Sequence, residues 1–99
     1  MITRAEAEAI VLDRLNKSAD ASHRAAVLDA WIKPYGWVVL YDSEQFVQTG
    51  NDFDRFFGNG PFVVMHDGAV HTLGTARAAA AEVAAFEHAH GLSTGEAAK

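Results

Sequence analysis

No cysteine occurs among the 99 residues of this chain, and only two prolines do. Without cysteine there is no disulfide framework, no thiolate zinc site and no cysteine nucleophile. That fits a reducing cytosol, although many exported proteins lack disulfides too. Basic side chains are also scarce, eight against thirteen acidic, for a net charge of −5. A broad basic face for nucleic acid or anionic membrane is thereby disfavoured. No stretch approaches the roughly 20 apolar residues of a membrane span. The opening MITRAEAEAI carries charges where a secretory leader needs an apolar core. The expectation is a soluble, cytoplasmic protein with neither a nucleic-acid nor a membrane partner.

What is present suits one small core. Hydrophobic residues make up 49% of the chain, and a protein of this size buries about 65% of its extended surface. The reading is a single domain over residues 1–91 with a flexible tail at 92–99.

Thr3-Arg4-Ala5-Glu6 has the spacing of a capping box. Ala7, Ile10, Val11 and Leu15 follow at helical spacing, which predicts a helix over about residues 3–18. AVLDAWIK alternates and reads as a strand that Pro34 ends. YGWVVLYDS reads as a second strand. Tyr35, Trp37, Val39 and Tyr41 share one of its faces; Val38 and Leu40 share the other, so it belongs at the centre of a sheet. SEQFVQTG fits one helical turn capped by Ser43 and stopped by Gly50.

The glycines of GNGPFVVMHDGAVHTLGTA invite a phosphate-binding reading. Such a loop delivers N–H groups at a helix N-terminus. Here Gly58-Asn59-Gly60-Pro61 runs into the strand-like FVVMH, and Pro61 removes a donor. Gly58 and Gly60 are therefore read as turn residues with positive φ. Asp67-Gly68 predicts a tight hairpin to AVHTL. Gly74 ends the last strand, and Thr75 is placed as cap of an alanine-rich helix that Gly91 stops. The whole reads as α+β: a small antiparallel four-stranded sheet with an N-terminal and a C-terminal helix packed on one face.

Chemistry is thin. His66 and His71 flank the hairpin, on the same face if its loop has two residues and on opposite faces if it has three. His88 and His90 are two apart on a helix and diverge, and His23 stands alone, so no metal site is expected. Asp52-Phe53-Asp54 lacks the other ligands of a calcium loop. Asp42 and Glu44 have no visible pocket to split their acidities. No serine sits in a nucleophile elbow. The expectation is no catalytic residues, no metal and no cofactor. Residues 35–60 are acidic, with Asp42, Glu44, Asp52 and Asp54 against Arg55. They suit a basic partner, with Tyr41 and Phe53 for apolar contact.

KPYGWVVLYDSEQFVQTG and GNGPFVVMHDGAVHTLGTA, preceded by ITRAEAEAIVLDRL, resemble the immunity protein 35 family, also called the YrhB-like domain. The likeness covers about residues 2–90. Tyr35, Gly36, Trp37, Gly58, Asn59, Gly60, Pro61, Gly74 and Thr75 match its pattern and are read, with Asp67 and Gly68, as specifying the fold. The resemblance implies a small bacterial binding protein without catalysis, many relatives being encoded near polymorphic toxins. The partner expected is a cognate toxin with a basic surface. The alternative is a stand-alone chaperone-like or housekeeping domain, homodimeric through a sheet edge.

Overall fold

Residues 1–17, 24–55 and 60–92 are described by a computed structural model. Helix α1 runs over Arg4–Asn16. Its capping box forms as the spacing predicts. The Glu6 N–H donates to Thr3 Oγ1 at 3.1 Å, and the Thr3 N–H donates to Glu6 Oε1 at 2.8 Å. The bond from the Thr3 backbone, then that of its hydroxyl, holds the Glu6 carboxyl below its ordinary range. That contribution is present above the unfolded carboxyl value and is lost as the pH falls through the lowered one. Thr3→Ala is expected to lower stability by about 1 kcal/mol in urea unfolding at neutral pH; an unchanged midpoint would mean that the cap is idle.

Strands β1 (Ala25–Lys33), β2 (Gly36–Ser43), β3 (Phe62–Met65) and β4 (Val70–Thr72) form one antiparallel sheet in the order β1-β2-β3-β4. Helix α2 (Glu44–Thr49) and a 3-10 turn (Asp52–Asp54) lie between β2 and β3, and α3 (Ala79–His90) follows β4. The fold is thus α+β with helices at both termini.

The helices, however, take opposite faces of the sheet. Ala7 and Val11 of α1 pack with Val39, Phe62 and Val64. Val83 and Phe86 of α3 pack with Val38 and Val63. The cause is β2 itself: Val38, Val39, Val63 and Val64 are all fully buried, so neither face of the central pair tolerates water. A one-faced arrangement would leave half of these valines wet. The same demand fixes the chain start, where the Trp37 indole N–H donates to the Ile2 carbonyl at 3.1 Å.

Two local expectations need correcting. Gly60 is not among the residues with positive φ. It is needed because its backbone lies against the carbonyls of Leu73 and Gly74, where a Cβ would overlap. Thr75 is exposed and caps nothing in α3, whose first residue lies four positions on and whose N-cap Ala78 makes no side-chain cap hydrogen bond. Instead Glu82 folds back to accept from the Arg77 N–H and guanidinium at 3.1 and 3.2 Å. Of the two loop lengths left open for the β3–β4 hairpin, the structure has the three-residue one: the Met65 N–H donates to the Ala69 carbonyl, and Gly68, at φ 92°, closes it. His66 and His71 consequently face opposite sides. His66 meets Ile2, while His71 stacks on Phe86 of α3.

Gly91 stops α3 in the left-handed conformation, as expected. Leu92, expected in the tail, packs against the α3-side core. Residues 93–99 of that tail, Gly58, Asn59 and His23 lie outside the described residues. No described helix is long and apolar enough to cross a membrane.

Candidate functional site

The acidic middle of the chain is organised around Ser43, the last residue of β2. Its hydroxyl accepts the Phe46 N–H at 2.9 Å, capping α2, and donates to the Asp54 carbonyl. One side chain therefore ties the start of α2 to the far end of the loop that follows. Gly50 ends α2 in the left-handed conformation, its N–H donating to the Phe46 carbonyl at 2.7 Å. Asn51 then turns the chain: its Oδ1 accepts the Phe53 N–H at 3.0 Å and its carbonyl accepts the Asp54 N–H at 2.9 Å. Thr49 Oγ1 accepts the Asn51 N–H at 3.1 Å and lies 3.3 Å from Asp54 Oδ2. The loop is thus braced at both ends and at its middle.

Of the six residues expected to meet a partner, the structure divides the set. Asp42 is completely buried. Its Oδ1 accepts the Ser43 N–H at 2.8 Å and its Oδ2 lies 3.1 Å from Arg55 Nε. It is thus an internal post for the loop, because a buried carboxylate must be paired. Tyr41 is half-buried, its ring 5.5 Å from that of Phe62. Burial first, then Asp42 beside it, pushes its phenol pKa up. Glu44 and Asp54 are half-buried, and Asp52 is exposed. Phe53 stands 97% exposed.

Arg55 was not foreseen as a fastener. It pairs with Asp42 and lies over the Phe46 ring, 4.8 Å from its centroid. The signal was available in part. Asp42 continues the Val38–Leu40 row of β2, and a carboxylate on an apolar row asks for a buried partner. The same logic would have found Glu87, which continues the Ala79–Val83 stripe of α3. Its Oε2 accepts the Tyr35 hydroxyl at 2.7 Å and lies 3.1 Å from Lys33 Nζ.

Gly36 and Gly60 are buried against neighbouring backbone, and the Pro61 carbonyl accepts the Leu73 N–H at 2.9 Å. Asp67 Oδ1 accepts the Ala69 N–H at 2.9 Å, and Gly74 sits beside the Glu82 carboxylate. Among the described residues no three histidines or carboxylates are placed to hold a metal ion. His66 has both ring nitrogens engaged: Nδ1 accepts the Ile2 N–H at 3.2 Å, which puts the proton on Nε2, 3.0 Å from the Pro34 carbonyl.

Comparison with known proteins gives a consistent picture. The pattern of the family described as immunity protein 35 matches residues 5–88. The uncharacterized protein YrhB of Escherichia coli (strain K12) is 40% identical over 43 residues. That stretch is 42% of this chain and 46% of the relative, so the match spans under half of either protein. No solved structure gives a significant match.

Proposed function

We propose, from the premise that this chain belongs to the immunity protein 35 family, that it binds and neutralises a cognate toxin domain in the bacterial cytoplasm, without catalysis of its own. The observation that carries the reading is Phe53, 97% exposed at the tip of a loop whose backbone is held by Ser43, Asn51 and Thr49. A large aromatic side chain kept in water costs free energy in the unbound state. On a loop already fixed it gives that energy back on binding, with little further loss of backbone entropy. Asp52 beside it, with Glu44 and Asp54 at the margin, sets a negative field around the anchor and suits a partner with a basic rim.

The test sequences the flanking genes, purifies any toxin domain that they encode and titrates it against wild type and variants. Phe53→Ala is expected to weaken binding by about 10- to 100-fold. It should leave thermal unfolding unchanged, since the ring touches little of its own protein. Asp52→Lys is expected to slow association and to flatten its dependence on salt. Unaltered affinity in the Phe53 variant would remove this loop from the interface. Failure of the wild-type protein to bind the toxin or protect cells from it would remove the reading altogether.

A further inference from the structure

Strand β1 is nine residues long and ends the sheet, with β2 as its strand neighbour. Such an edge is a template for another chain unless something blunts it. The direction of its backbone groups follows from the ladder. The His66 N–H donates to the Tyr35 carbonyl at 2.9 Å, which makes Gly36–Met65 a pair without mutual hydrogen bonds. Gly36 therefore turns its N–H and carbonyl to Lys33 across the two-residue turn. Alternation then directs Trp31 and Asp29 towards β2, and Ile32 and Ala30 outward.

The outward groups are not left open. The Ala30 N–H donates to Asp29 Oδ1 at 2.8 Å, and Asp29 Oδ2 accepts the Trp31 indole N–H at 3.2 Å. The ring thus holds the carboxylate over the edge. One step back, the pairing slips between Val27 and Asp29, and Leu28 falls in the irregularity. Around this plug the strand is otherwise adhesive: Leu28 is 47% exposed and Ile32 72%, and no proline interrupts it.

We propose that Asp29 is a guard that keeps β1 from pairing with a second copy of this chain. An approaching strand would have to displace the carboxylate from Ala30 and bury its charge against backbone carbonyls, while the irregularity at Leu28 spoils the register alongside. Once the carboxylate is gone, Ala30 and Ile32 present two N–H and two carbonyl groups in line, flanked by apolar side chains. Two such edges close antiparallel about a two-fold axis, so the product is a dimer whose sheet runs through both copies.

The experiment measures mass by light scattering over a concentration series for wild type, Asp29→Ala, Asp29→Thr and Asp29→Ala combined with Ile32→Lys. Circular dichroism monitors the fold of each. Wild type is expected to stay monomeric. The Ala and Thr variants should dimerise at least about tenfold more tightly than wild type, by loss of the opposing charge. Adding Ile32→Lys should restore the monomer, because a lysine on the edge opposes pairing and the position is exposed. The threonine variant, a good strand former, separates loss of the guard from loss of the fold. Three results would overturn the proposal: wild type already dimeric, a folded Asp29→Thr that is as monomeric as wild type, or association of the alanine variant that survives the Ile32→Lys change.

Discussion

Gly36→Ala is expected to abolish the native fold. Gly36 opens β2 and pairs with Lys33 on one side and Met65 on the other. A Cβ there would overlap the Val64 carbonyl oxygen and come within 2.9 Å of Val64 C and Met65 Cα. All three are backbone atoms of β3, so no rotamer change relieves the clash. The residue also sits at φ 153°, where an L side chain is strained. Relief requires β2 and β3 to part. They carry Val38, Val39, Val63 and Val64, the buried centre of both cores. A domain of this size has about 5–15 kcal/mol to lose in total, and a backbone overlap in the central pair should cost more than about 4 kcal/mol. The variant should lack cooperative thermal unfolding or expand towards the unfolded dimensions in solution scattering. A cooperative transition within about 1 kcal/mol of wild type would refute the argument.

Glu87→Ala is expected to follow in size. Glu87 is 3% exposed and joins α3 to the β1–β2 turn through Lys33 on one side of Pro34 and Tyr35 on the other. Burial, and then the bond to Glu87, pushes the Tyr35 phenol pKa well up, so the hydroxyl stays a donor throughout the physiological range. Removing the carboxylate takes this ion pair from an ammonium whose side chain is 16% exposed, and takes the acceptor at that position from the phenol. Breaking a buried pair from one side costs about 3–5 kcal/mol. The partial exposure of Lys33 favours the lower end. Urea unfolding should show the loss, and Glu87→Gln, which keeps an acceptor for Tyr35, should lose less. Replacing Glu87 and Lys33 together by methionine should recover most of it, because the penalty lies in a buried charge losing its counterpart rather than in the bond. A change in Glu87→Ala below about 0.5 kcal/mol would mean that α3 is held by Val83 and Phe86 alone.

These two sites also mark how far the sequence could be read. Elements with a strong local rule were legible: the Thr3–Glu6 box, the Ser43 cap with Gly50, and the alternation of β2 from Trp37 on, whereas Tyr35, expected on the Trp37 face, lies in the turn and packs on the α3 side. Gly36 matched a family pattern, but only the structure shows that its hydrogen is pressed against a carbonyl, since close approach between strands leaves no mark on neighbouring residues. The side taken by each helix was missed although β2 signalled it, because two apolar faces demand two covers. Thr75 was read as a cap from its residue type, whereas the chain bends again over residues 75–77 before α3 begins. The residue types alone make Asp42, Glu44, Asp52 and Asp54 a charged face for a basic partner. Asp42 and Glu87 differ because each continues an apolar row, and a charge on such a row is committed to a cation elsewhere in the chain. Which cation could not be read from spacing: Arg55 lies 13 positions from Asp42 and Lys33 lies 54 from Glu87.

With a helix over each side of β2 and β3, little of the sheet remains for a visitor to rest on. In the proposed binding role, recognition would fall to the rim, where connecting segments can change in wording and length while the valine interior is left alone. On that proposal a lineage facing a new adversary would need to revise only a few positions near Phe53, and antagonists of unlike shape would be met from one unaltered frame.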